Sequence, residues 1–211
     1  MSLGNVLILG DSYSTFKDYI PEGYAAYYGP ELHPESSVFE VSDTWWHQLI
    51  EKTQSKLALI CSWSGTTICH TGYNKADCSG NSFAARLDKL IADGFFNKNK
   101  IDTMIIFGGT NDSWAGSPVG ELMYFDWQKD DLYSVLPAFC YILNRVKMDL
   151  PGVRVINVVN TELKPEITSG MLAACEKFGV LCVRPDTIEK VGGHPTAVGM
   201  TQICEKIIES L

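Results

Sequence analysis

Four residues that could carry acyl-transfer chemistry stand just beyond short apolar runs of this chain. Ser12 follows the run Asn5–Leu9, Gly65 follows Leu57–Cys61, Asn111 follows Thr103–Phe107, and His194 lies a loop beyond Val180–Val183. A serine hydroxyl is a weak nucleophile until a base removes its proton. Histidine titrates near neutrality and is suited to that task. Attack on a carbonyl creates a tetrahedral oxyanion, which preorganised donors stabilise; a backbone N–H at a glycine and an asparagine side-chain amide are such donors. Each residue also has a purely structural reading. Ser12 could cap the turn or helix after its run, Gly65 could serve only a turn, Asn111 could be a turn former, and His194 could be an exposed residue before the last helix. Ser14, two residues past Ser12, is the nearest rival hydroxyl. What favours chemistry is that all four occur in order, three of them just after an apolar run and His194 a loop beyond one.

The elements that must position them follow from periodicity. Asn5–Leu9, Leu57–Cys61, Thr103–Phe107, Val153–Val159 and Val180–Val183 read as five buried strands. Between them lie amphipathic stretches predicted as helices: Thr44–Thr53 with Asp43 as N-cap, Asn81–Ala92, about Asp130–Met148, about Pro165–Phe178 and about Thr196–Glu209. Strands alternating with helices imply βαβ units and a mostly parallel sheet covered on both faces, with right-handed crossovers. The expected fold class is therefore α/β: a three-layer α/β/α sandwich around a flavodoxin-like five-stranded parallel sheet, a single domain over residues 1–211. Such sheets bind ligands at the carboxyl ends of their strands, near a topological switch point. That rule brings Gly10-Asp11-Ser12, Ser62–Gly65, Gly109–Asp112 and Gly192–Pro195 to one edge.

These blocks resemble those of the SGNH, or GDSL-like, hydrolases. The strand followed by Gly10-Asp11-Ser12 resembles the first block of that family, and Gly65 matches the second-block glycine. Gly109-Thr110-Asn111-Asp112 matches the G-x-N-D block, and His194 the histidine of the fifth. The resemblance spans residues 5–211. It implies the SGNH hydrolase fold and a serine esterase in which Ser12 is nucleophile and His194 general base. The oxyanion hole it implies is built from Ser12, Gly65 and Asn111. One position departs from the pattern: the family usually carries an aspartate three residues before the histidine, and here that residue is Val191. Asp186, Glu189 or a backbone carbonyl must orient the imidazole instead. A Ser–His dyad is workable, because the third group mainly fixes tautomer and orientation; a carbonyl partner is the expectation. Asp11 and Asp112 are expected to order loop backbone.

Aromatic residues crowd the same edge. Tyr13, Trp63 and Trp114 are expected to line the substrate pocket, with Tyr73 nearby, and aromatic platforms suit sugar faces, acyl chains and aryl groups alike. Trp45 and Trp46 fall on a predicted helix, and at least one should be core. His33, His47 and His70 are expected to be non-catalytic. The substrate expected is a small-molecule or carbohydrate ester, with acetyl esters of sugars as one version. Lysophospholipase or thioesterase activity is the enzymatic alternative, and a catalytically silent ligand-binding domain the non-enzymatic one.

Composition narrows the field further. The net charge of −8 argues against nucleic-acid binding and against adsorption to anionic membranes. No apolar run approaches the roughly 20 residues of a membrane span. The start, MSLGNVLILGDS, lacks a basic n-region and a sufficient apolar stretch for a signal peptide. That gives a cytoplasmic default, with a secreted or periplasmic setting if a leader is removed. No phosphate-binding glycine motif follows the first strand, and the proposed chemistry requires no cofactor. Of seven cysteines, Cys61, Cys140, Cys175, Cys182 and Cys204 read as buried hydrophobes. Cys69 and Cys78 could pair in an oxidising compartment; with His70 they do not complete a zinc set, and no metal is expected.

Overall fold

The computed structural model describes residues 2–211. Strands Asn5–Gly10 (β1), Lys56–Ser62 (β2), Thr103–Gly108 (β3), Arg154–Val159 (β4) and Leu181–Val183 (β5) form one parallel sheet of order β2-β1-β3-β4-β5. This is the flavodoxin-like order, whose direction of winding reverses between β1 and β3. Alternation along each strand decides the layers. Leu7, Leu9, Met104 and Ile106 face a core made with Phe83–Ala92 (α2), Val135–Asp149 (α5) and Pro165–Phe178 (α6). Val6, Ile8, Ile105 and Phe107 face the opposite core, made with Trp45–Thr53 (α1) and Ala197–Glu209 (α7). Burying each Leu, Ile or Val side chain is worth about 1.5–3 kcal/mol, so a one-residue slip that exchanged the two cores would be prohibitive.

The central strands β1 and β3 carry unbroken apolar runs because both faces are covered, and β4 is interrupted by Arg154 and the buried Asn157. The edge strand β2 departs from that expectation: its first four residues alternate between exposed and half-buried, and only Ile60–Ser62 are buried. The sequence-predicted helices are present with three corrections. Thr44, not Asp43, caps α1, its hydroxyl accepting from His47 N–H; Asp43 instead accepts from the backbone N–H groups of Phe39 and Glu40. The stretch expected as one helix over about 130–148 divides into a short 3-10 turn, Lys129–Tyr133, and α5, separated by extended Ser134. Short helices Phe95–Lys98 (α3) and Thr110–Ala115 (α4) and a two-stranded hairpin, Lys190–Val191 (β6) and His194–Pro195 (β7), lie in segments read as loops. Trp45 and Trp46 are both buried core residues. No helix is long and apolar enough to cross a membrane.

Candidate active site

The four candidate residues meet at the carboxyl ends of β1, β2 and β3, beside the switch point. Ser12 begins a 3-10 turn after β1. Asp11 shapes that turn by accepting the Tyr13 N–H at 3.1 Å, as expected for it. Gly65 lies in the turn after β2 with φ +80°, a conformation costly for any other residue. Asn111 and Asp112 occupy the first turn of α4. Asp112 accepts the backbone N–H groups of Ile68 and Cys69, which ties the loop after β2 to the end of β3.

His194 is delivered by the β6–β7 hairpin. Its two-residue turn is Gly192-Gly193, with φ +55° and +79°. Left-handed backbone at both central positions is the geometry that best matches hairpin twist, and two glycines reach it without strain. A side chain at 193 would in addition collide with the Trp114 ring, 2.8 Å from the would-be Cβ. The hairpin is fastened on several sides. Tyr13 donates to Gly193 O at 2.5 Å and Tyr28 to Pro195 O at 2.8 Å. The Lys190 ammonium donates to Asn160 Oδ1, Thr161 Oγ1 and Glu162 Oε2 at 3.0–3.1 Å.

His194 Nε2 lies 3.0 Å from Ser12 Oγ, and Nδ1 lies 3.2 Å from Gly192 O. A carbonyl can only accept, so Nδ1 carries the proton and Nε2 is left as the acceptor facing the serine hydroxyl. The residue across the hairpin from His194 is Val191, which supplies no acid. Asp186 pairs with Lys206 at 3.0 Å, and Glu189 accepts from Thr196 Oγ1 at 2.6 Å; neither reaches the imidazole. Burial holds the His194 pKa below the ordinary imidazole range, with the charges of His33 and Lys190 acting in the same direction; the Gly192 carbonyl and Glu35 oppose them. Asp186→Asn and Glu189→Gln should each leave kcat/KM within about threefold of the parent, whereas a loss of about 1,000-fold in either would identify a missing acid. Steady-state kinetics on a p-nitrophenyl ester reads the difference.

Among the described residues, no protein acceptor takes the N–H of Ser12 or Gly65. Asn111 is more heavily engaged than its expected role requires. Its Nδ2 donates to Thr66 O at 3.0 Å and faces Asp11 Oδ2 at 3.4 Å, while its Oδ1 accepts from Tyr73 OH at 2.8 Å. Beneath these groups Asp11 and Asp112 are fully buried. Burial is the main cause that raises them, to about 7 and about 6, and for Asp11 the neighbouring Asp112 charge adds to it. Below the Ser62–Thr67 turn lies Arg86, which the sequence reading passed over.

Tyr13 is a correction: it is not part of the pocket. Its ring is 0% exposed, packed edge-on to Phe107, and its hydroxyl is bound to the hairpin and to Asn160. The residue directly after Ser12 in this turn points back into the core. Trp114 is 44% exposed and meets His194 edge-to-face at 5.6 Å. Trp63 is half-buried and stacked on Tyr24 at 4.3 Å, two residues before Gly65. Tyr27, stacked on His194, was missed as a neighbour of the site, as was the place of His33 on the far face of Tyr27. The segment 13–42 that carries them has no helical or strand period to aim them. His47 lies in α1, and His70 is buried against Ser82 Oγ at 2.8 Å. All seven cysteines are free thiols, Cys69 and Cys78 among them. No group of three or more His, Cys, Asp or Glu among the described residues is placed to hold a metal ion.

The family described as GDSL-like Lipase/Acylhydrolase matches residues 4–211. A protein described as a GDSL-like lipase from Bacteroides ovatus ATCC 8483 is 40% identical, with a TM-score of 0.91 over 99% of this chain and 98% of its own. A second, from Bacteroides uniformis ATCC 8492, is 41% identical, with a TM-score of 0.91 over 99% and 95%. A family two carbohydrate esterase from Clostridium thermocellum, solved in complex with cellohexaose, shares the fold at 14% identity, with a TM-score of 0.64 over 98% of this chain and 62% of its own. No curated protein matches the chain.

Proposed function

The chain belongs to the GDSL-like lipase/acylhydrolase family of ester-hydrolysing enzymes, and on that premise we propose that it is a serine esterase for small acyl esters, acetyl esters of carbohydrates in particular. The observation that carries the mechanism is the Ser12–His194–Gly192 chain of contacts, with Nε2 3.0 Å from Oγ and Nδ1 on a carbonyl. Ser12 Oγ attacks the ester carbonyl as His194 takes its proton. The oxyanion accepts from the amides of Ser12 and Gly65. Asn111 contributes the Nδ2 proton that faces Asp11 over a long 3.4 Å contact, keeping the other on Thr66 O. His194 then protonates the leaving alcohol, and water, activated by the same imidazole, releases the acid.

The substrate class rests on the rim. Trp114 and Tyr73 are each more than two-fifths exposed, and the Trp63–Tyr24 stack adds a half-buried aromatic face beside Gly65. Sugar faces pack on such rings, and the Clostridium thermocellum carbohydrate esterase, complexed with cellohexaose, has the same fold. A fluorophosphonate should label Ser12, located by peptide mass spectrometry, and leave Ser12→Ala unlabelled. A panel of acetylated sugars and p-nitrophenyl esters of increasing chain length should then favour acetyl. Absence of an adduct in folded protein would point to a silent binding domain, and preference for long acyl chains would overturn the carbohydrate reading.

A further inference from the structure

The general base of this site has no carboxylate behind it, and its contact to Gly192 O, at 3.2 Å, is a long one. Its ring is nonetheless enclosed. Tyr27 lies flat against it, with ring centroids 3.6 Å apart and planes 8° from parallel. Trp114 approaches it edge-to-face and Tyr13 tilted, each at 5.6 Å. Tyr27 is itself backed on its other face by His33, at 3.8 Å and 3°, and His33 Nδ1 is held by Glu35 Oε1 at 3.0 Å. The backbone under Tyr27 is tied to the nucleophile turn: its N–H donates to Thr15 Oγ1 at 2.9 Å, and that hydroxyl donates to Ser12 O at 3.0 Å. The plane on which the imidazole rests is therefore fixed relative to Ser12.

Two neutral aromatic rings gain least when stacked squarely face to face, because their quadrupoles repel. A cation over the same face is attracted. The His194 ring is neutral before attack and becomes imidazolium as the Ser12 proton arrives, so this stack is more favourable in the transition state than in the ground state. Only interactions of that kind raise kcat. We infer that Tyr27 is a positioning residue for the general base, holding the His194 ring in line with Ser12 and favouring its protonated form during acylation. The inference rests on the esterase reading above. The charged groups around the imidazole do not supply this: His33 and Lys190 oppose a charge on it, Glu35 favours one from beyond His33, and burial disfavours one; of the aromatic neighbours, Tyr27 alone lies flat on its face. The Tyr27 hydroxyl makes no hydrogen bond to another described residue, so the ring face is the part that acts.

The test uses the full chain. Tyr27→Leu should lower kcat by about 10- to 30-fold with KM within about threefold, and Tyr27→Phe should restore most of the loss. In case the leucine variant folds poorly, phenylalanines bearing one, two and three ring fluorines at position 27 keep the shape and progressively remove the quadrupole. Across that series log kcat should fall stepwise. The His194 pKa, read by NMR in a Ser12→Ala background, should fall by about half to one unit. A flat kcat and a flat pKa across the fluorinated series would overturn the inference and leave Tyr27 as packing. If the parent protein shows neither esterase activity nor a Ser12 adduct, the esterase reading fails instead, and the NMR series still tests the stack.

Discussion

Replacing His194 with alanine should lower kcat/KM for a small ester by roughly 10⁴- to 10⁶-fold, and Ser12→Ala should do the same. The double variant should be no worse than either single one. In the proposed mechanism nucleophile and base act as one unit: with Nε2 3.0 Å from Oγ, removing the imidazole leaves a hydroxyl that nothing deprotonates, and removing the hydroxyl leaves a base with nothing to activate. Residual rate would come from the Ser12 and Gly65 amides, which neither substitution removes. The parent enzyme should also show a rate that rises with pH, because only neutral His194 accepts the proton. Since burial disfavours its charge, the rise should reach its plateau below the range of an ordinary histidine. Stopped assays with each variant, checked by circular dichroism for folding, read the first expectation; kcat/KM between pH 4.5 and 9 reads the second. A His194→Ala protein retaining about one tenth of parental activity would remove the imidazole from the mechanism.

The sheet was legible because β1 and β3 are buried on both faces and carry the unbroken apolar runs Val6–Leu9 and Met104–Phe107, with β4 apolar but for Arg154 and Asn157, and because α6 begins at Pro165 and ends before Gly179, the strongest local signals a helix has. Ser12 was legible as a candidate because it sits just past β1, whose end the sequence marks, and His194 because Gly192–Pro195 stands directly ahead of α7. The hairpin that holds His194 carried its signal in plain sight, Gly192-Gly193 between Val191 and His194, yet four residues of strand are too few to show a period. Tyr13 was misread because adjacency in sequence to Ser12 does not fix which way a 3-10 turn aims the next side chain. Tyr27, His33 and Arg86 left no sequence signal at all. The first two are placed by a segment without regular structure, and Arg86 lies in an amphipathic helix, where a charge reads as solvent-facing.

Arg86 is nevertheless the residue whose loss should cost the fold most. It is 2% exposed and lies beneath the turn that carries Gly65. Its guanidinium donates to Cys61 O, to Gly10 O at 3.0 Å, to Asn81 O at 3.0 Å and to Thr66 Oγ1 at 3.1 Å, and it stacks over the Phe83 ring at 4.6 Å. Thr66 passes the constraint on, its hydroxyl donating to Trp63 O and its carbonyl accepting from Asn111. Buried ion pairs can often be replaced by apolar residues at no loss, because both partners disappear together. That escape is closed here: three of the acceptors are backbone carbonyls, which no substitution removes. Arg86→Met should therefore destabilise the protein by about 3–5 kcal/mol, each stranded buried acceptor costing about 1–3 kcal/mol before partial relaxation. For a chain of this length that is a fall in Tm of about 6–20 °C. Arg86→Lys should recover less than half of it, since a single ammonium cannot span donors set in a planar fork. Assayed well below its own Tm, Arg86→Met should also lose about 10- to 100-fold in kcat, because the Gly65 amide is then no longer held at the proposed oxyanion site. Calorimetry and kinetics on the same preparations separate the two effects. A methionine variant melting within about 2 °C of the parent would mean that the turn is held by its own hydrogen bonds and that the guanidinium is incidental to it.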